Sequence, residues 1–237
     1  MKTIGLIGGM SWESTLSYYK LLNEGVKSKL GGLHSAKIIL HSVDFAPIAR
    51  FQSEGKWEEA ALIIQEAALS LERAGVDFIL LCTNTMHKIV PLITPHVQTP
   101  FLHIAEATAN ALNAKGAHHA ILLGTKFTMQ ESFYKEVLQA HHIDVITPHL
   151  KDMETINQII FQELCVGKIE TASRDLFLNI IHELQRSNPD VDAVILGCTE
   201  IGLLVDQKSS HLPLFDTTIL HVNEALNRAL CPSNIKI

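Results

Sequence analysis

The chain has 237 residues, of which 47% are hydrophobic and 19% charged, so it is long enough to bury one large core or two smaller ones. Its net charge of −6 comes from 19 basic and 25 acidic residues without a run of either sign, which argues against a nucleic-acid track or a surface for anionic membranes. The apolar stretches are short and no CxxC pair occurs, so we expect neither a membrane span nor a disulfide scaffold, but a soluble, cytoplasmic protein with reduced thiols.

Short apolar runs alternate with longer amphipathic segments, a pattern typical of parallel sheets covered by crossover helices. In the first half, the predicted strands are "KTIGLIG", "AKIILHS", "VDFILLC" and "TPFLHI". The segment "SWESTLSYYKLLNEGVKSKL" has Leu16, Tyr19, Leu22 and Val26 at helical spacing. A second predicted helix, "KWEEAALIIQEAALSLERAG", has an apolar face and ends at Gly75.

The second half follows the same plan. Its predicted strands are "HAILLGT", "IDVITP", "VDAVILGC" and "LPLFDTT", and its predicted helices lie around "QESFYKEVLQAH", near 152–166, near 170–186 and over "ILHVNEALNRAL". Thr83 follows Gly8 by 75 residues, and Cys198 follows Gly124 by 74 residues. This spacing favours an internal duplication into two α/β halves of about a hundred residues each. Chance similarity between Val/Ile/Leu-rich strands is the alternative.

The loops after the predicted strands are where we expect chemistry, because ligands of open parallel sheets sit beyond the carboxyl ends of the strands. Two of these loops, "CTNTMH" and "GCTE", carry small nucleophilic or acid–base side chains. If a pseudo-twofold axis relates the two halves and their sites face each other, one group approaches a ligand from each side. That geometry suits racemisation, in which a planar carbanion is attacked on opposite faces.

Three motifs, in this order and at these separations, resemble the cofactor-independent aspartate/glutamate racemases, close to the bacterial amino-acid racemase branch. They are "GLIGGMSWEST", "CTNTMH" and "GCTEI", and the resemblance covers essentially the whole chain. It implies two similar parallel-sheet α/β domains related by a pseudo-twofold axis, with the active site at their interface. We expect residues 1–98 and 212–237 to form the first domain and residues 99–211 the second.

The resemblance also implies a catalytic pair. The family carries one cysteine on a C-N-T-x-H loop and another on a G-C-T-E loop. The second cysteine matches Cys198, but the first falls on Thr83, because Asn84 to His87 must match N-T-x-H. Cys82 comes one residue earlier, and successive strand side chains point to opposite faces, so we expect Cys82 to face the core. The alternative is a register in which Cys82 is catalytic.

The implied reaction removes the Cα proton with one group and returns it with the other. Cys198 is expected to act as a thiolate base, and loop amides or positive charge could lower its pKa from the ordinary value of about 8.5. Thr83 holds its proton too tightly for that role, but it can donate or relay a proton to the carbanion. The "GGM" turn could add backbone donors for one substrate carboxylate. The predicted substrate-binding residues are Met10, Gln52, Asn84, Thr85 and Thr199.

The partner of the substrate's side-chain carboxylate is left open. The candidates are Arg50, Gln52, Cys165 and Lys168. Cys165 stands where family members often carry a lysine. Because of this departure, the resemblance does not identify the partner of the side-chain carboxylate and so does not predict a preference for aspartate or glutamate. His87 is equally compatible with a helix cap and with a place near the site, and for Glu200 a cap is favoured over a catalytic role.

No sequence feature indicates a cofactor or a metal, because no lysine context suggests pyridoxal phosphate and the thirteen histidines lack ligand spacing. We expect a small amino-acid substrate, with no nucleic-acid or membrane partner, and the resemblance implies a homodimer. A hydantoin racemase, a maleate isomerase or an arylmalonate decarboxylase of the same superfamily is an alternative interpretation. A different class of protein is also compatible: an amino-acid-binding protein that lost catalysis when threonine replaced the first cysteine.

Overall fold

The computed structural model describes residues 1–231, which fold into two α/β units. One unit contains Met1–His103 and the described chain from His221 onward, and the other contains Ile104–Leu220. Each unit is built on a four-stranded parallel sheet, which confirms the predicted α/β class with two similar parallel sheets. Within residues 1–231, no helix combines the length and the apolar character that crossing a bilayer requires.

The first unit is organised around the strand order β2-β1-β3-β4. Its strands are β1 (Ile4–Gly8), β2 (Ile38–Ser42), β3 (Phe78–Leu81) and β4 (Phe101–Leu102). Its helices are α1 (Trp12–Leu30), α2 (Phe45–Ser53), α3 (Trp57–Arg73) and α4 (Val90–Ile93), with 3-10 turns at Thr85–Ile89 and Thr94–His96. The central strands β1 and β3 are buried along their whole length, so their carboxyl ends lead directly from the core into the loops that follow.

The second unit has the strand order β6-β5-β7-β8, the same pattern as the first, as the predicted duplication requires. Its strands are β5 (His119–Gly124), β6 (Asp144–Ile146), β7 (Ala193–Gly197) and β8 (Leu214–Asp216). Its helices are α5 (Ile104–Ala114), α6 (Lys126–Gln130), α7 (Ser132–Ala140), α8 (Leu150–Gln162), α9 (Thr171–Ser187) and α10 (Ile201–Leu204), with a 3-10 turn at Leu164–Val166. The last helix, α11 (Thr217–Leu230), begins in this unit and continues in the first.

The second unit begins and ends later than predicted, at Ile104 and Leu220 rather than at 99 and 211. β4 pairs with β3 and therefore belongs to the first sheet. β8 pairs with β7, so it completes the second sheet and not the first. Strand pairing decides both boundaries, and the apolar pattern of the sequence does not specify it. Residues 232–237 of the predicted first domain lie outside the described residues.

Helix α1 buries a different face from the predicted one. Leu22 and Val26 are buried as expected, but Leu16 and Tyr19 are 57% and 51% exposed. Tyr18 is fully buried in their place. Apolar and aromatic residues occur on two sides of this helix, so their spacing alone does not identify the buried face.

A buried tyrosine–histidine pair joins α11 to the first unit. The Tyr18 hydroxyl lies 2.8 Å from His221 Nδ1, and His221 Nε2 lies 2.8 Å from the carbonyl oxygen of Leu102. Because a carbonyl oxygen only accepts, Nε2 carries the proton and Nδ1 accepts from Tyr18. Burial lowers the pKa of His221 to about 3, so the ring is neutral at neutral pH.

We predict that His221 makes the protein less stable as the pH falls. Above pH 6.5 the ring is neutral in both states, but between 6.5 and about 3 only the unfolded chain binds the proton. The free energy of unfolding therefore falls by up to ~1.4 kcal/mol per pH unit from this group. His221→Gln keeps a donor for Leu102 and does not titrate, so its stability should fall less steeply. Denaturant unfolding at a series of pH values measures both slopes, and equal slopes would contradict the assignment.

Candidate active site

The turn after β1 is packed tightly against the start of α1. Gly9 has a φ of 96°, and a Cβ atom there would collide with the backbone of Val43. The Gly9 N–H donates to Thr15 Oγ1 at 2.8 Å, and the Thr15 hydroxyl donates to the carbonyl oxygen of Ser11 at 2.9 Å. The Gly9 N–H is therefore committed inside the turn, and the expected carboxylate cradle cannot draw on it.

Met10 and Gln52, two predicted substrate-binding residues, are both buried in the first unit. Met10 is 5% exposed and packs into the apolar core. Gln52 lies on α2, is 6% exposed, and its Nε2 donates to the sulfur of Met86 at 2.8 Å. Arg50 is exposed, with its guanidinium carbon 5.2 Å from the centre of the Phe51 ring. Helix α2 thus presents a buried amide and, two residues earlier, an exposed cation.

The loop after β3 separates Cys82 from the polar residues that follow it. Cys82 is fully buried and packs in one cluster with Phe78 and Leu80, because alternate residues of a strand share a face. Burial raises the pKa of the Cys82 thiol, which is therefore neutral. Its carbonyl oxygen accepts a hydrogen bond from Ser14 Oγ at 2.9 Å. The structure places Cys82 in the core, as the preferred register predicts.

Thr83 is half-buried, and both of its backbone groups are hydrogen-bonded. Its N–H donates to the carbonyl oxygen of Leu81 at 2.9 Å, and its own carbonyl oxygen accepts from His87 Nδ1 at 2.8 Å. Asn84 and Thr85 follow directly and are 4% and 6% exposed. Three of the predicted site residues therefore lie together at the carboxyl end of β3.

In the second unit, Cys198 follows β7 and is hydrogen-bonded to a buried carboxylate. Its Sγ donates to Glu200 Oε2 at 3.0 Å, and Thr199 Oγ1 donates to the same oxygen at 2.5 Å. Cys198 is 7% exposed and Glu200 is 4% exposed. The Cys165 thiol lies farther away, with its Sγ 3.9 Å from Glu200 Oε1. Two thiols and a hydroxyl therefore converge on Glu200.

The pKa of the Cys198 thiol is raised well above its ordinary value. Burial is the largest cause, followed by the negative charge of Glu200 and the neighbouring Cys165 thiol, while a hydrogen bond from the Glu200 backbone N–H opposes them. The expected net lowering of this pKa is therefore wrong, because the one loop amide that lowers it is outweighed by burial and by the charge of Glu200. The resting Cys198 side chain is a neutral thiol that directs its proton at Glu200.

The Glu200 side chain does not form the helix cap that the sequence favoured. Helix α10 has no side-chain cap, and the Glu200 carboxylate turns back to Cys198 and Thr199 instead. A carboxylate two residues after a cysteine, directly behind a buried strand, was the available signal. The same position also begins a short helix, so the sequence alone favours a cap over a role at the site.

The other candidates of the second unit lie on the segment after α8. Cys165 is half-buried in the 3-10 turn that follows this helix, and Gly167, with a φ of 75°, ends the turn. Lys168 comes next and is exposed. Within the described residues, no three His, Cys, Asp or Glu side chains are grouped so that they could hold a metal ion.

Comparison with known proteins places the chain in a family. It matches the family model described as Asp/Glu/Hydantoin racemase over residues 7–225. The broad specificity amino-acid racemase RacX of Bacillus subtilis (strain 168) is 27% identical over 219 residues, which cover 91% of this chain and 92% of RacX.

Two solved structures resemble the chain over almost its whole length. A protein from Yersinia pestis, provisionally described as an Asp/Glu racemase, is 48% identical with a TM-score of 0.89, covering 97% of this chain and 100% of that one. An aspartate racemase homologue from Pyrococcus horikoshii OT3 is 33% identical with a TM-score of 0.85, covering 97% and 99%. The chain therefore belongs to the Asp/Glu/hydantoin racemase family and is an enzyme of the isomerase class.

Proposed function

We propose that this protein racemises aspartate, glutamate or both without pyridoxal phosphate, by removing and returning the Cα proton on opposite faces. The observation that carries the proposal is the Cys198 thiol, 3.0 Å from the buried carboxylate of Glu200. Abstraction of a Cα proton needs a positioned base and a group that accepts the base's own proton, and this pair supplies both. The names of RacX and of the Pyrococcus horikoshii homologue support an amino-acid substrate.

In the first half of the proposed reaction, the Cys198 proton passes to Glu200 and the thiolate takes the α-proton of the L-substrate. The C–H bond breaks, an S–H bond forms, and the electron pair remains on Cα. Hydrogen-bond donors around the substrate carboxylate stabilise the resulting carbanion. Thr199, which shares Glu200 Oε2 with Cys198, helps to hold the acceptor in place.

In the second half, Thr83 donates its hydroxyl proton to the opposite face of the carbanion and recovers a proton from water, while Glu200 gives the proton that it received to the hydroxide that remains. The proposal requires Thr83 and Cys198 to reach the same substrate. A threonine hydroxyl is a poor base, so Thr83 is less suited than Cys198 to remove the α-proton of the D-substrate.

Mirror symmetry makes the free enantiomers equal in energy, so the kcat/KM values for the L- and D-substrates stay equal. The asymmetry appears in kcat and KM separately, or as exchange of the L-substrate that is faster than its inversion.

A second candidate function is amino-acid binding without turnover. It is favoured by the neutral state of Cys198 and by the hydroxyl of Thr83 in place of a second thiol. Incubation with L-aspartate and L-glutamate in deuterated water separates the two functions. Solvent deuterium at Cα means catalysis, whereas tight binding without deuterium uptake rejects the racemase proposal.

We predict that Cys198→Ala lowers Cα exchange by roughly 10²–10⁴-fold or more, because it removes the base. Cys82→Ala is the matched control, since it deletes a thiol of the apolar core. It should cost about 1 kcal/mol of stability and keep the activity. Deuterium uptake by NMR and thermal unfolding measure the two effects. If Cys82→Ala is inactive but folded, the register is shifted by one residue.

Thr83→Ala should retain α-proton exchange of the L-substrate but suppress inversion. Cys198 can still remove and return the α-proton on one face, but the group that protonates the opposite face is lost. Thr83→Cys should restore a base on the other face and raise kcat for the D-substrate. Simultaneous measurement of deuterium uptake and optical rotation gives both rates. Inversion by Thr83→Ala at the parent rate would show that another group protonates the second face.

Glu200→Gln should have two opposite effects. Removing the negative charge lowers the pKa of Cys198, yet loss of the proton acceptor slows exchange, by roughly 10²-fold or more. The pKa of Cys198 is measured from thiolate absorbance as a function of pH, after subtraction of the absorbance of the Cys198→Ala variant. Deuterium uptake measures the rate of Cα exchange. Glu163→Gln is the control, since Glu163 accepts from Ser173 Oγ rather than from a thiol. Unchanged exchange in Glu200→Gln would exclude Glu200 as the acceptor.

A further inference from the structure

The side chain of His87 forms a hydrogen bond that fixes both its tautomer and its direction. It is 1% exposed, and its Nδ1 lies 2.8 Å from the carbonyl oxygen of Thr83. A carbonyl oxygen only accepts hydrogen bonds, so Nδ1 must carry a proton. The donor therefore points at the main chain of Thr83 and not at its hydroxyl.

Two further histidines hold the ring of His87 in this direction. The centre of the His103 ring lies 4.6 Å from the centre of the His87 ring, with an angle of 68° between the ring planes. The centre of the His221 ring lies 5.7 Å from that of His87, with an angle of 67° between the planes. His221 is itself fixed between Tyr18 and Leu102 by its two hydrogen bonds. Burial, and then the neighbouring His103 and His221, keep the pKa of His87 well below its ordinary value, so the ring is neutral at neutral pH. A neutral ring in a packed cluster has little freedom to turn.

The bond to His87 completes the backbone restraint on Thr83. The Thr83 N–H is already bound to the carbonyl oxygen of Leu81 at 2.9 Å, and the preceding residue, Cys82, is anchored in the core. The regular strand ends at Leu81, so strand pairing no longer fixes the backbone torsions of Thr83. Rotation about the N–Cα bond of Thr83 would move its carbonyl group and its side chain together, so a bond that holds the carbonyl also restrains the direction of the hydroxyl.

We propose that His87 is a positioning residue, which orients the Thr83 hydroxyl for proton return by holding the Thr83 carbonyl. The inference rests on the proposed function, because it requires Thr83 to act on the substrate. It differs from a proton relay through His87. A carbonyl oxygen cannot pass a proton on to the hydroxyl, so the contact restrains Thr83 and does not supply its proton.

Two variants of equal shape test this role. His87→Asn places an amide donor at the position of Nδ1, and His87→Leu replaces it with a methyl group. His87→Leu should lower the ratio of inversion to exchange by about 10- to 100-fold, because a misplacement of about 1 Å can cost that much. His87→Asn should restore the ratio to within about threefold of the parent. Exchange of the L-substrate at Cys198 should change little in either variant, and it is measured in deuterated water together with optical rotation.

Several results would overturn the inference. A parental ratio in His87→Leu means that the bond does not matter, and an equal loss in His87→Asn means that the ring matters rather than the donor. A parallel loss of exchange and inversion assigns His87 to the fold alone. Nitrogen NMR of the parent protein is an independent check, since an Nε2–H tautomer of His87 would be incompatible with the role. If the parent protein exchanges no α-proton, the proposed function fails and the inference with it, whereas an active parent with unaffected variants rejects the inference alone.

Discussion

The parallel pairing of the central strands is the constraint on which the candidate site depends. Ile7 is paired with Leu81 in the first sheet and Gly124 with Gly197 in the second, so in each sheet the two central strands end at the same level. The chain then leaves the core through turns that lie side by side, and the reactive side chains occur in these turns. A shift of β3 by one residue would turn Thr83 into the core, because successive strand residues face opposite sides. Which residue is available as the proposed first catalytic group is thus a consequence of strand register.

The two units use different means to hold their candidate groups. In the first unit the restraint acts on the main chain, since His87 donates to the carbonyl oxygen of Thr83 and not to the hydroxyl that we propose as the proton donor. In the second unit the restraint acts on the side chain, since Glu200 accepts directly from the thiol of Cys198. This difference suits the chemistry of each group. In the proposed reaction, the Thr83 hydroxyl must above all point at the substrate, whereas the Cys198 thiol also needs a group that accepts its proton.

Much of this arrangement could be predicted from the sequence. The strands and the buried face of α3 follow from apolar periodicity, and the core position of Cys82 follows from strand alternation. Helix α2 was not predicted, because it is nine residues long and contains Pro47 in its first turn. The direction of the Cys198 pKa shift was also missed, because it depends on burial and on the orientation of Glu200, which only the folded chain determines. The T-shaped contact between the rings of His87 and His103 depends likewise on tertiary contacts.

A raised thiol pKa is compatible with the role proposed for Cys198. The α-proton of an amino acid is far less acidic than a thiol, so a more basic thiolate removes it faster. The same shift makes the thiolate rare at rest, and an isolated thiolate beside a carboxylate would place two negative charges in a buried cluster. Transfer of the Cys198 proton to Glu200 avoids this, because the pair holds one proton and one negative charge both before and after the transfer. The thiolate then faces a neutral acid, so the repulsion by Glu200, which adds to the larger effect of burial in raising its pKa, is relieved in the step that forms it.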